Sequence, residues 1–240
     1  MDKETAARLS AQNRDNYDSF SGAFAQTRSY LWPEMAALAE GNFKEGDSVL
    51  DIGCGNGRFY PFFKERGGKY FGIDNSRNLI AIARESFPGA EFAVADALAL
   101  PFKDNEFDLA VSIAALHHIP SKEFRKIFFK EARRVLKPGG ILVATVWDLR
   151  PQTMIKAKQW KRLKNFAKTQ FKIAAGLEKL DFGDFFIAWQ NKYERFHHAF
   201  ALRELRELAA ASGFEIEKNG ATSFGAKEGN LYIVAKKLHN

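Results

Sequence analysis

Cysteine is nearly absent. The lone Cys54 among 240 residues forbids an intramolecular disulfide and any zinc centre built on cysteine pairs, and no metal site is expected. No run of eighteen apolar residues occurs, which excludes a membrane-spanning helix. The first ten residues mix Asp2, Lys3, Glu4 and Arg8 with alanine and lack the apolar centre of a secretory signal. Seven prolines and eighteen glycines are too few for collagen-like or low-complexity sequence. What is abundant points to a packed fold: 46% of the residues are hydrophobic and 23 are Phe. The length is about one and a half times that of a common domain. A soluble, cytoplasmic protein is expected, folded as one domain over 1–240. An N-terminal helical cap over 1–46 and a substrate-side insertion over 150–200 are expected within it.

Acidic residues are missing from one stretch. Between Arg150 and Lys172 stand eight basic side chains and no Asp or Glu; with a formal +7 overall, the rest of the chain is left at −1. Charge localised in this way favours a docking surface over a general solubility device. On a helix, Lys161, Lys164, Lys168 and Lys172 fall on one face, with Trp160, Leu163, Ala167 and Phe171 as an apolar stripe beside it. Two readings stand: the solvated face of an amphipathic helix, or a site for a polyanion such as RNA. An acidic membrane surface is a third.

Residues 2–40 read as helical, with Pro33 placed to open a helix. Short apolar strands follow at 48–52, 69–73, 91–95, 107–114 and 141–146, the last entered through the turn Lys137-Pro138-Gly139-Gly140. Helical stretches at 57–66, 76–86 and 121–136 separate them. This alternation means βαβ units with right-handed crossovers. After the basic segment come a helix near 202–212 and two strands near 213–219 and 230–237, with no helix between them. The expected fold is α/β and doubly wound: a mostly parallel seven-stranded sheet with an antiparallel C-terminal edge strand.

The first strand runs into Asp51-Ile52-Gly53-Cys54-Gly55-Asn56-Gly57. Glycines there let backbone approach a ligand at the carboxyl end of the sheet. The second strand ends in Asp74-Asn75, an acid placed to accept both ribose hydroxyls; the third ends in Asp96-Ala97, within reach of an adenine amino group. The Gly-x-Gly-x-Gly spacing departs from the dinucleotide fingerprint and fits a nucleoside without pyrophosphate.

These motifs, with Gly72-Ile73-Asp74 and Arg134-Val135-Leu136-Lys137-Pro138-Gly139-Gly140, resemble the Rossmann-like S-adenosylmethionine-dependent methyltransferases over 47–147. The resemblance implies S-adenosylmethionine as cofactor, bound by Tyr17, Arg28, Asp51, Gly53, Cys54, Gly55, Asp74, Asn75, Asp96, Ala97 and Ala114. The fourth strand continues as Ser112 to His118, without the Asn/Asp-Pro-Pro-aromatic box of nucleic-acid amino-methyltransferases. With its only cysteine inside the glycine loop, the chain is poorly suited to covalent pyrimidine C5-methylation. Oxygen or activated carbon is the expected acceptor.

Three further stretches, Tyr17-Asp18 through Thr27-Arg28 with Trp32-Pro33, Ser112 to Pro120, and Arg195-Phe196-His197-His198-Ala199-Phe200, resemble the tRNA wobble-uridine carboxymethyl methyltransferases. Ile187-Ala188-Trp189 and Asn230-Leu231-Tyr232-Ile233-Val234 are similar to two more of that family's motifs, with Ala188, His197 and Leu231 as departures. The resemblance implies methyl-esterification of 5-carboxymethyluridine in tRNA, with no membrane or DNA partner, and a small zinc-binding activator protein as a possible subunit. Arg28, His117 and Arg195 are the expected catalytic residues; His118, His197, His198, Lys161, Lys164, Lys168 and Lys172 are the expected substrate contacts. A carboxylate is ionised at neutral pH and needs only a cation to hold it, which either arginine supplies. Which arginine grips which group is left open. The alternatives are a small-molecule O- or C-methyltransferase with a histidine base, and a catalytically silent RNA- or protein-binding subunit.

Overall fold

A computed structural model describes residues 1–28, 30–224 and 228–238. In chain order the helices are α1 (Lys3–Gln26), α2 (Pro33–Glu40), α3 (Tyr60–Glu65), α4 (Arg77–Ser86), α5 (Lys122–Val135), α6 (Pro151–Lys156), α7 (Trp160–Ala174) and α8 (Leu202–Ala211). The strands are β1 (Ser48–Ile52), β2 (Lys69–Asp74), β3 (Glu91–Val94), β4 (Phe107–Ile113), β5 (Leu136–Trp147), β6 (Asp184–Trp189), β7 (Tyr193–His198), β8 (Phe214–Phe224) and β9 (Glu228–Lys237). No helix among the described residues is long and apolar enough to cross a membrane.

Seven strands form one sheet in the order β3-β2-β1-β4-β5-β9-β8. The pairings among β1 to β5 are parallel; β9 runs antiparallel to both β5 and β8. This is the expected doubly wound α/β sheet with its antiparallel C-terminal edge. Parallel strands covered on both faces must be apolar throughout, and Val49, Leu50, Leu109, Ala110, Val111, Leu142 and Val143 are all fully buried. Helix α5 seals one face through Phe128, Phe129, Ala132 and Val135. On the other face, α3 contributes Phe62 and Phe63, and α2, with Pro33 in its first turn, contributes Met35 and Ala39. Strand order reverses between β1 and β4, and such a switch point opens a crevice at the carboxyl ends of the strands.

Two elements outside the sheet complete the crevice. Helix α1 lies across it: Asp18 accepts from the Ser76 hydroxyl (2.6 Å) and the Asn78 amide (3.1 Å) at the start of α4. Strands β6 and β7 pair as a separate antiparallel hairpin, which the sequence patterning did not foretell. Asn13 of α1 ties into it, accepting from the Phe196 amide at 2.9 Å. Helix α7 packs on the hairpin through Phe166 against Phe185. The apolar stripe beside the lysines is only partly covered. The inward face of α7 carries Leu163, Phe166 and Thr169, while Trp160 (59% exposed) and Phe171 (72% exposed) stand in solvent beside the lysines.

Candidate functional site

A cleft of about 900 Å³ occupies the switch point. Its floor is the loop after β1. Gly53 has φ +81°, and a Cβ there would lie 2.5 Å from the Ala115 side chain, so only glycine brings the backbone this close. Asp74 closes the loop geometrically: it accepts from the Gly55 amide and the Ser76 amide, each at 2.9 Å. Its remaining lone pairs are available to the cleft that it lines. Burial raises the Asp74 pKa above the usual carboxylate range, against the lowering effect of those amides. Burial likewise pushes Asp51 up to about 7, although the Tyr70 hydroxyl donates to it at 2.8 Å and Arg58 lies near. Asn75, Asp96, Ala97, Cys54 and Ala114 also line the cleft. Ala114 directly follows β4 with φ 55°, and its amide donates to both the carbonyl and the hydroxyl oxygen of Thr145 at 3.1 Å. A strained non-glycine residue held this way is a feature of ligand sites.

At one end of the cleft, arginines gather over aromatic rings. The Arg28 guanidinium lies 5.4 Å from the Phe24 ring centre and 5.6 Å from that of Trp32, and Arg58 stacks on Trp32 at 4.5 Å. Asn56 of the glycine loop donates to the Arg28 carbonyl at 3.2 Å, which fixes this end of α1 to the cofactor loop. Burial, then the nearby Arg28 charge, bring Arg58 down to about 10. Sequence reasoning missed Arg58, which directly follows the glycine loop and carried no motif signal of its own.

At the other end a hydrogen-bonded chain runs from β7 to the cleft. Arg195 Nη1 donates to the Tyr17 hydroxyl at 3.1 Å, and Tyr17 lies 2.8 Å from His118 Nε2. His118 Nδ1 lies 3.0 Å from the Phe196 carbonyl, which can only accept. The Nδ1 therefore carries the proton, and Nε2 takes the hydrogen of Tyr17. Burial and the Arg195 charge lower His118 to about 3, so it stays neutral. Tyr17 and His118 line the cleft with Trp147, which the sequence reading also missed. Arg195 lies just behind them, its guanidinium 5.1 Å from the Trp189 ring centre, 5.7 Å from Trp147 and 5.9 Å from Tyr17.

The other expected residues separate into groups. His117 and His197 are fully buried and stacked at 5.3 Å behind Trp147. His117 Nδ1 accepts from the Trp147 amide at 3.3 Å, and His197 Nδ1 donates to the Arg195 carbonyl at 2.9 Å. Both are held neutral, far below the ordinary histidine range, mainly by burial. Nitrogen atoms of His117, His118 and His197 lie within 4.8 Å of one another. The trio makes a poor cation cage, because ligation through His117 Nε2 would set a protonated Nδ1 against the Trp147 amide, and Arg195 stands beside it. His198 is corrected. It sits outside the cleft, bonded to Asp184 at 2.6 Å and Glu204 at 2.9 Å, and these carboxylates raise its pKa against the effect of burial. Buried Arg125 completes that network with Asp184 and Glu204. The lysines lie on α7 outside the cleft: Lys161, Lys164 and Lys168 are exposed, and Lys172 pairs with Glu178 at 2.9 Å.

Residues 50–144 match the family described as Methyltransferase domain. A protein of Encephalitozoon cuniculi that bears a provisional methyltransferase name is 30% identical over 225 residues, covering 92% of this chain and 93% of its own. The chain belongs to the S-adenosylmethionine-dependent methyltransferases. A solved methyltransferase of this class from Methanosarcina mazei superposes with a TM-score of 0.72 at 27% identity, over 88% of this chain and 99% of the other. The Arabidopsis thaliana tRNA (carboxymethyluridine(34)-5-O)-methyltransferase is 37% identical over 144 residues, 60% of this methyltransferase but only 34% of the plant protein. The methyltransferase thus spans about a third of that relative's length.

The cleft suits the cofactor of this class. Asp51, Asp74 and Asp96 place three carboxyl groups around a site for a sulfonium and an ammonium group, and the glycine at 53 lets the loop pack directly against Ala115. When bound, S-adenosylmethionine supplies an electrophilic methyl group. Asp74 would hold the ribose hydroxyls of such a cofactor, and Asp96 would face its adenine.

Proposed function

We propose that this methyltransferase esterifies a carboxylate carried by RNA, with 5-carboxymethyluridine at a tRNA wobble position as the acceptor. The observation that carries this reading is Arg195. It is 2% exposed and finds no carboxylate among the described residues, only the Tyr17 hydroxyl and three aromatic rings. Its Nε and the indole Nε1 of Trp189 are both buried without an acceptor. Holding an unpaired cation in such a place costs several kcal/mol. An acceptor carboxylate reaching past Tyr17 supplies the missing counter-charge and is held in line for methyl transfer by a planar fork.

The two arginine positions divide the work. Arg28, beside Arg58 at the cofactor loop, fits the α-carboxylate of S-adenosylmethionine; Arg195 fits the acceptor. A carboxylate with pKa near ~4 needs no general base at neutral pH. A hydroxyl acceptor would need one, and burial keeps His117, His118 and His197 well below the range of a useful base. RNA as the carrier is supported by the substrate in the plant relative's name and by the exposed lysines of α7. The activator subunit implied by resemblance belongs to the same reading, and co-purification with the catalytic chain is its test.

The direct experiment incubates carboxymethyl-bearing tRNA with the enzyme and S-adenosylmethionine, then measures its nucleosides by mass. A methyl mark that mild base removes is expected. A base-stable mark, or methylation of a small phenol in preference to RNA, overturns the reading.

A further inference from the structure

The outer face of α7 is built in an unusual way. On a regular helix Trp160 and Phe171 lie eleven residues apart, within about 20° of each other around the axis and about 16 Å along it. Lys164 lies between them, with Lys168 and Lys161 on the flank of the same stripe, and all three lysines are exposed. Opposite, Leu163, Phe166 and Thr169 turn inward, with Phe166 against Phe185, Asn165 donating to the Phe186 carbonyl at 2.6 Å and Gln170 to the Asp184 carbonyl at 2.9 Å. The helix is thus fixed on the β6–β7 hairpin, and its two large rings are left in water. Its amino-terminal end reaches the cleft: the Arg162 guanidinium lies 5.8 Å from the ring centre of Trp147, and Lys161 donates to Asn191 in the hairpin turn at 3.0 Å.

We infer that this face is a stacking platform for unpaired bases of the RNA substrate, with Trp160 and Phe171 as the stacking rings and Lys161, Lys164 and Lys168 as the phosphate contacts. The inference rests on the RNA reading above and adds to it where the loop lies and how it is held. Alternating flat rings and ammonium groups match the alternating bases and phosphates of a single strand. Charge complementarity favours a polyanion, since no acidic residue occurs between 150 and 172. An acidic bilayer fits less well: inserting Trp160 and Phe171 together would carry the Lys164 ammonium below the headgroups.

The test uses a fluorescein-labelled anticodon stem-loop RNA, and the same RNA with abasic loop positions, titrated onto the full chain at several salt concentrations. Trp160→Ala with Phe171→Ala should weaken binding of the normal loop at least tenfold and leave the salt slope unchanged. Lys164→Ala with Lys168→Ala should instead reduce the slope by about 1.4–1.8. The abasic loop should bind the unaltered protein as weakly as the normal loop binds the aromatic variant, and should not distinguish the two proteins. Cofactor affinity by calorimetry should be equal in all forms, which excludes misfolding. Unchanged loop affinity in the aromatic variant overturns the inference. So does aromatic-dependent binding to phosphatidylglycerol vesicles without an effect on RNA, or an aromatic-dependent dimer in size exclusion. If esterification of the stem-loop proceeds while the aromatic variant binds normally, only the platform fails. If the unaltered protein neither binds nor esterifies the RNA, the platform and the function beneath it fail together.

Discussion

Replacing Arg195 by Met separates a residue that holds the fold from one that waits for a ligand. The substitution keeps an unbranched side chain of similar reach among Trp147, Trp189 and Tyr17 but removes the charge. Three ring contacts are weakened, each worth about 0.5–2 kcal/mol. Against this, the desolvation of a buried, unpaired guanidinium is relieved, a gain of several kcal/mol. Tyr17 loses one donor but keeps its bond to His118. The free protein should therefore be as stable as before or slightly more so. At about 2–4 °C per kcal/mol for a chain of this size, its Tm should hold or rise by a few degrees. Activity should move the other way. Losing a buried charge-assisted contact to the acceptor carboxylate costs about 2–5 kcal/mol, or roughly thirty- to several-thousand-fold in single-turnover methyl transfer. Cofactor affinity should not change. Thermal unfolding, calorimetry with S-adenosylmethionine and rapid quench on the same preparation measure all three. A Tm drop of more than about 8 °C with a parallel loss of activity would make Arg195 a structural residue. Retained transfer to the carboxylate would remove it from the reaction.

Asp74→Ala should weaken cofactor binding by about 2–3 kcal/mol, since it deletes a charged acceptor for two ribose hydroxyls; equal calorimetric affinity would displace the site. Asp51, at about 7, is largely protonated below that pH, so affinity for the cationic cofactor should rise as pH increases from 5.5 to 7.5 and level off above. Asp51→Asn should flatten this curve, and a persistent rise in that variant would assign the titration elsewhere. Methyl transfer at saturating cofactor should be flat between roughly pH 6 and 8.5, because the acceptor is already ionised and His118 is not protonated there; a rate climbing through about 6.5 would mean a histidine base. His118 has its folded pKa below the unfolded value of about 6.5, so the unfolded chain binds the extra proton and stability falls as pH drops from 6.5 towards 3. The slope should be about 1.4 kcal/mol per pH unit for this group, read by denaturant titration, and His118→Asn should lessen it.

Short-range pattern in the sequence determined the scaffold. Apolar strand runs, helical periods and the glycine loop are local features, so β1 to β5, α4, α5 and the acidic ends of β1, β2 and the stretch after β3 were legible from the residues alone. They also pointed to the carboxyl ends of β1 and β2 as the place for a cofactor, and the strand order opens a switch-point cleft there. Tertiary structure decided the acceptor end. Successive residues of a strand point to opposite faces, so Arg195 and His197 turn to Tyr17 and Trp147, while His198 in the same motif turns away to Asp184 and Glu204. No local signal distinguishes them, since the choice is made by the pairing of β7 with β6 across a turn. Arg58 and Trp147 were missed for a similar reason: their role depends on Trp32 and Arg195, which lie far from them in the chain. Helix α7 carries apolar groups on two sides, and its own periodicity cannot say which side is covered. The hairpin takes the face of Phe166, and this leaves Trp160 and Phe171 to solvent.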